Sequence, residues 1–141
     1  MRVEKSFEVE RSRDDVVELL CQDETLLKLF PGESEIVESE GDRRTIRTHY
    51  RALGREGVAT FHFTFLMDGN IRFEKVCDGR VWRELKGEVE VQQRGKAAQL
   101  RIQMSGRTKT LVPEFTIQQP MEEQIEQMTD SLRELLALPA D

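Results

Sequence analysis

The feature that most constrains this chain is its last long stretch, residues 120–138, which reads PMEEQIEQMTDSLRELLAL. Apolar residues fall at Met121, Ile125, Met128, Leu132, Leu135 and Leu136, with Leu138 beyond. Steps of three and four place them in one stripe of an amphipathic helix. Glu122, Glu123, Glu126, Asp130, Arg133 and Glu134 fill the opposite side. Pro120 suits the first position of such a helix, and Pro139 ends it. A helix of this kind cannot bury its stripe by itself, so the rest of the chain must supply an apolar surface.

Most of the preceding sequence alternates. In residues 2–10, Val3, Phe7 and Val9 point one way with Lys5 among them, and Glu4, Ser6, Glu8 and Glu10 point the other. That is a strand with one wet face. Ser12 then reads as a helix N-cap with Asp15 behind it, for a short helix carrying Val16, Val17, Leu19 and Leu20 and ending near Cys21. Asp23 caps a second short helix with Leu26, Leu27, Leu29 and Phe30 on its apolar side, stopped by Pro31-Gly32.

From Glu33 the period returns to two. A strand with Ile36 and Val37 turns at Gly41-Asp42 into the strand 43–53. With Arg55-Glu56 as the next turn, Tyr50 faces Phe61, Thr48 faces Phe63 and Ile46 faces Phe65 on one side. The other side then pairs Arg51 with Thr60, His49 with His62 and Arg47 with Thr64. One face is apolar and aromatic, the other basic and polar. A three-residue loop at Asp68-Gly69-Asn70 adds Met67 beside Ile71 and Phe65 beside Phe73 to the apolar face. The turn at Asp78-Gly79 has two settings. One pairs Glu74 with Arg83; the other keeps Phe73 beside Leu85; a bulge near Trp82 reconciles them. The last hairpin turns around Gly95-Lys96 and pairs Val91 with Ala98, Val89 with Leu100, Gly87 with Ile102 and Leu85 with Met104. The expected fold is α+β: a seven-stranded curved antiparallel sheet wrapped on a long C-terminal helix, with two short helices after strand 1.

At 141 residues, one domain spanning 1–141 can bury roughly two thirds of its unfolded surface without a disulfide or metal. A net charge of −6 argues against a general nucleic-acid or anionic-membrane binder. Cys21 and Cys77 lack metal-ligand spacing and read as separate thiols of a reducing compartment. The opening MRVEKSFEVE has no signal-like apolar run, and no window approaches the ~20 apolar residues of a membrane span. The cytoplasm is the expected location.

The order of these elements resembles the helix-grip fold of the START-like (SRPBCC) superfamily, which includes lipid-transfer, birch-pollen-allergen-like, polyketide cyclase and Hsp90-activator proteins. Residues 12–17 (SRDDVV) resemble its opening helix, and residues 29–32 (LFPG) the exit of its second. Residues 82–87 (WRELKG) resemble a strand that ends in glycine before a bulky residue, where this chain has Glu88. Residues 111–113 (LVP), with the helix after them, resemble its C-terminal segment. The resemblance implies a cavity between sheet and helix for a hydrophobic small molecule, and no shared catalytic set.

The residues expected to line that cavity are Tyr50, Phe61, Phe63, Phe65, Phe73, Arg83, Leu85 and Met104 from the sheet, with Met121, Ile125 and Met128 from the helix. Methionine's flexible thioether suits an irregular pocket. Tyr50 and Arg83 are the candidate polar anchors. The bland alternatives are a packed core, a core tyrosine whose hydroxyl reaches water, and an outward Arg83–Glu74 pair. His49 and His62, set opposite each other on the basic face, read as a polar pair rather than a metal site. No nucleophilic set shares a face. No catalytic residue, metal or cofactor is therefore expected. The expected function is binding or transport of a lipid, isoprenoid or polyketide-like molecule, with the two short helices and the Gly32 and Gly69 loops gating access. One alternative is a cyclase, aromatase or dehydratase using Tyr50 and Arg83. The other is an Hsp90-activator-like interaction module docking through Arg43, Arg47 and Arg51. The expected partner is a hydrophobic ligand, without nucleic acid or stable membrane insertion; the oligomeric state is left open.

Overall fold

The computed structural model describes residues 1–29, 32–52, 55–77 and 81–137, with backbone only at 50–52 and 55. The chain runs β1 (Arg2–Val9), α1 (Arg13–Leu20), α2 (Asp23–Leu29), β2 (Ser34–Glu40), β3 (Arg43–Ala52), β4 (Arg55–Phe65), β5 (Ile71–Lys75), β6 (Trp82–Arg94), β7 (Ala97–Thr108) and α3 (Phe115–Ala137). The strands form one antiparallel seven-stranded sheet in the order β1-β7-β6-β5-β4-β3-β2. Consecutive hairpins build β2 to β7, and β1 closes on β7 (Val3 opposite Met104, Phe7 opposite Leu100).

The helix starts follow local chemistry. Ser12 caps α1: its Oγ accepts from the Asp15 amide at 3.2 Å, which satisfies one amide that the first turn leaves orphaned. Asp23 is the first residue of α2 and not its cap, placed where a carboxylate favours the helix dipole. α3 begins five residues before the expected Pro120, so the proline lies inside the helix. Proline cannot donate to the Thr116 carbonyl. The turn ahead of it is held otherwise, by Thr116 Oγ1 donating to the Pro113 carbonyl at 2.7 Å and the Ile117 amide to that of Glu114 at 3.0 Å. The expected positions of Phe30, Pro31, Leu138 and Pro139 lie outside the described residues.

α3 packs on β1, β7 and α2. Three contacts fix its lie: the Arg133 guanidinium sits 5.2 Å from the centre of the Phe7 ring, Lys5 Nζ is 3.9 Å from Glu126, and Arg11 Nε donates to the Leu136 carbonyl at 2.6 Å. Lys5 is thus outside the core, as a cation beside an exposed carboxylate should be.

The two faces of the sheet are as the alternation expects, but the registers are not. Tyr50 stands opposite Gly57, Ile46 opposite Phe61 and Thr48 opposite Ala59. His49 faces Val58, and His62 faces Thr45. Arg55 and Glu56, expected as a turn, begin β4, and the ladder closes at Ala52 with Arg55. At the next hairpin Phe65 faces Ile71 and Phe63 faces Phe73. Met67 lies in the loop, fully exposed. Between β5 and β6, Phe73 faces Gly87 and Glu74 faces Lys86, so neither setting of that turn holds. Between β6 and β7, Gly87 faces Met104 and Val89 faces Ile102. The irregularity near Trp82 exists, between Trp82 and Glu84 on the β7 side. The β3/β4, β4/β5 and β6/β7 ladders are offset from expectation by four, two and two residues, β5/β6 by two from one setting of its turn and three from the other, while β2/β3 turns at Gly41-Asp42 as expected. Side chains alternate with a period of two, so even offsets preserve both faces and odd ones exchange them.

Gly87 shows how tightly the strands cross. A methyl group there would overlap the Phe73 ring and the Gln103 carbonyl. Gly87→Ala is expected to destabilise the fold by about 1–3 kcal/mol through overpacking, read as a lower urea midpoint. Gly95→Ala meets no neighbour but has a φ of +62°, so it should cost about 1 kcal/mol through backbone strain rather than overlap.

Candidate functional site

The inner face of the sheet and the α3 stripe meet in one apolar interior. From the sheet come Phe61, Phe63, Phe73, Leu85 and Met104; from α3 come Met121, Ile125, Met128 and Leu132. The three phenylalanines form a ring cluster. Phe63 and Phe73, directly opposed across β4 and β5, stack with centroids 5.5 Å apart. Phe61 lies 6.4 Å from Phe63 and 6.5 Å from Phe73, tilted to both. These separations are those of favourable aromatic pairs. None of these nine residues exposes more than 4% of its surface. These side chains are closed to solvent in the structure.

The rim is polar. Phe65 is half-buried at the end of β4, with the Arg44 guanidinium 5.6 Å from its ring centre. Arg44 Nε in turn donates to Asp23 at 3.0 Å, which ties the start of α2 to the sheet. α1 and α2 do more than border the interior. Val16, Leu20, Leu26 and Leu29 belong to the same buried cluster as the phenylalanines. Their apolar character was plain from the sequence, but their depth was not, because it depends on where two short helices land.

Two of the expected anchors separate. The Tyr50 backbone lies in β3, but its side chain is outside the described residues. Arg83 is not in the interior: it is exposed, and its guanidinium donates to Thr110 Oγ1 at 2.9 Å. The physical reason is the irregularity beside it, which turns the start of β6, together with the cost of burying an unpaired guanidinium. Nor does Arg83 reach Glu74, whose strand neighbour is Lys86.

Among the described residues the buried polar side chains are hydroxyls. Thr48 is buried, and its Oγ1 accepts from Ser34 Oγ at 2.9 Å. Thr25 Oγ1 donates to the Leu19 carbonyl at 2.7 Å and Thr129 Oγ1 to that of Ile125 at 2.8 Å. Alternation already set Thr48 on the apolar face, whereas Thr25 and Thr129 lie in helices, where the hydroxyl is satisfied by a helix carbonyl. His62, no longer opposite His49, shares a 2.9 Å hydrogen bond through Nδ1 with Thr45 Oγ1. Among the described residues no group of three His, Cys, Asp or Glu could hold a metal ion. Cys21 and Cys77 are free thiols. Burial, and secondarily the charge of Asp42, pushes the Cys21 thiol up from its ordinary range.

No protein-family model and no curated protein matches the chain. Solved structures do. The Zhui aromatase/cyclase from Streptomyces sp. R1128 superposes with a TM-score of 0.77 at 17% identity, over 96% of this chain and 91% of that one. A START superfamily protein from Mycobacterium smegmatis gives 0.76 at 17%, over 96% of each. The chain has the helix-grip fold of the START-like superfamily. A STAR-related lipid transfer protein from Xanthomonas axonopodis shares it, with a TM-score of 0.72 at 19% identity over 97% of this chain and 86% of that one. At such identities the helix-grip likeness is one of fold, and fold alone assigns no reaction.

Two outcomes test this geometry. Phe63→Ala, fully buried in the ring cluster, should cost about 3–5 kcal/mol in urea unfolding, whereas Arg83→Ala should stay within about 0.5 kcal/mol. Because its thiol is held up, Cys21 should alkylate more slowly than free cysteine at pH 8, with a rate that keeps rising as pH is raised further. A reactivity plateau below pH 8, followed by mass spectrometry, would contradict that placement.

Proposed function

We propose that the chain, as one START-like domain spanning 1–141, binds a hydrophobic small molecule such as a lipid, isoprenoid or polyketide-like compound between the sheet and α3. The observation that carries this is the composition of the interior wall. Three phenylalanine rings from the sheet share one buried cluster with three methionines, Met104, Met121 and Met128, drawn from a strand and a helix. Methionine has three rotatable bonds and no branch, so such a wall can repack around a guest. The fold adds support, since its other bearers include proteins described as a lipid transfer protein and an aromatase/cyclase.

The proposed interior contacts are buried in the structure, so a guest must part α3 from the sheet or displace side chains to reach them. Phe61, Phe63, Phe73, Leu85, Met104, Met121, Ile125 and Met128 are the proposed contacts, with Phe65 at the rim and Tyr50 as the proposed polar anchor. The buried Ser34–Thr48 pair is a second polar point on the same wall. The enzymatic alternative needs a proton-moving group inside. Arg83, one of its two candidates, is exposed, which leaves the carrier reading ahead. We place this function in the cytoplasm, where both thiols stay reduced. Among the described residues no helix is long and apolar enough to cross a membrane.

The test is gentle purification followed by native mass spectrometry and organic extraction. The expected result is one apolar compound per chain, together with saturable 1:1 uptake of a fluorescent fatty acid that raises Tm. A protein that is repeatedly empty and takes up no such probe ends the proposal.

A further inference from the structure

A cavity of about 610 Å3 opens on the face of the sheet opposite α3. Its floor is two neighbouring cross-strand rows of outward side chains. The first row is Arg43, Thr64, Arg72, Glu88 and Gln103, each directly opposite the next across β3 to β7. The second is His62, Glu74, Lys86, Ser105 and Arg2, running from β4 across to β1. All ten line the cavity.

The charges in these rows combine opposed pairs with cations set on either side of a hydroxyl. Thr64 has Arg43 on one side and Arg72 on the other; Ser105 has Lys86 and Arg2. Each short hydroxyl is therefore straddled by two long cations. Neighbouring strands lie about 4.8 Å apart, so the flanking Cα atoms stand about 10 Å from each other. Arginine and lysine are long enough to converge on one group held above the hydroxyl between them. A sheet gains more from opposite charges placed face to face. Arg72 faces Glu88, Lys86 faces Glu74 and Arg43 faces Glu40 in this way, but the first pair comes no closer than 3.9 Å, and Arg2 has no carboxylate directly opposite.

The cations are loosely committed. Arg43 makes no ion pair with any described residue. Arg72 and Lys86 expose 67% and 60% of their side chains, and Lys86 reaches Glu84 at 3.2 Å. Arg2 meets Glu4 at 3.1 Å and also Gln103. Exposed pairs of this kind contribute at most about 1 kcal/mol each, so turning them toward a ligand is cheap. Four cations and two carboxylates, Glu74 and Glu88, line a cavity in a chain whose net charge is −6. The lining itself is richer in cations than in carboxylates, with Glu4 and Glu84 meeting Arg2 and Lys86 at its edge. Arginine's planar fork suits phosphate and carboxylate oxygens in particular.

We propose that this outer groove binds a small anionic molecule through its phosphate or carboxylate groups. One group sits above Thr64 between Arg43 and Arg72, and another above Ser105 between Lys86 and Arg2. This site is independent of the interior one, lying on the other side of the sheet, and stands or falls without it.

The experiment is a titration of the 15N-labelled full chain with inorganic phosphate and with citrate, at ionic strength held constant with sodium chloride. Saturable shifts of the Thr64 and Ser105 amides are expected. Arg43→Gln and Arg72→Gln should each weaken the response at Thr64 at least tenfold and spare that at Ser105; Arg2→Gln should do the reverse. These residues are exposed, and Tm should stay unchanged, which separates lost binding from lost folding. Shifts that are linear and reproduced by chloride alone overturn the proposal, as do shifts indifferent to the three variants. A hexaglutamate peptide binding far more tightly than citrate overturns the small-molecule occupant in favour of an acidic protein segment.

Discussion

The structure depends on burial of one helical stripe. Met121, Ile125, Met128 and Leu132 expose almost nothing, and they do so because a curved antiparallel sheet presents a matching apolar face. Burying a side chain of that size contributes roughly 1.5–3 kcal/mol, so the seam between α3 and the sheet is a leading source of stability. Polar contacts at its border, Arg133 on the Phe7 ring, Lys5 with Glu126 and Arg11 on the Leu136 carbonyl, set where along β1 the helix lies. They contribute orientation more than energy, since exposed charge pairs are weak in water. α1 and α2 close the remaining side of the interior with Val16, Leu20, Leu26 and Leu29.

The sheet divides its chemistry by face. Among the described residues the inner face is mainly phenylalanine, leucine, isoleucine, valine and methionine, with Thr48 bonded to Ser34 and with Lys5 and Arg44 at its border paired to Glu126 and Asp23. The outer face carries most of the ionic side chains. Burial explains the division: a carboxylate or guanidinium turned inward would lose its hydration without a partner to replace it. The interior offers volume that can be made by repacking, while the outer groove offers an open, charged concavity that exists in the structure as it stands. A single thin sheet thus presents two chemically unlike faces, because successive residues of each strand serve opposite sides.

Which residues face inward was legible from alternation. The phenylalanines, Leu85 and Met104 were expected on the α3 side and are there. Their neighbours were not legible. His49 and His62 were expected together and stand apart; Tyr50 was expected beside Phe61 and stands opposite Gly57. The hairpins hung on Arg55-Glu56 and on Asp68-Gly69-Asn70 fell four and two residues off, while the one hung on Gly41-Asp42 held. Arg83 was assigned inward by continuing β6 past a bulge that reverses its direction. α3 was started at Pro120 because proline favours a first turn, yet the turn before it forms on the Thr116 and Ile117 bonds to Pro113 and Glu114.

The sequence by itself determined the parts that rest on periodicity and local capping. Those are the order of elements, the long amphipathic helix, the cap at Ser12 and the assignment of apolar residues to one side of the sheet. Periodicity is a property of each segment alone, and it survives any even slip. The tertiary structure decided the rest: strand registers, the depth of α1 and α2, the sealing of the interior and the alignment of Arg43, Arg72, Lys86 and Arg2 around two hydroxyls. Register is fixed by how side chains such as the Phe73 ring over Gly87 fit across strands, and that fit involves residues far apart in the chain. No repeat within a segment encodes it.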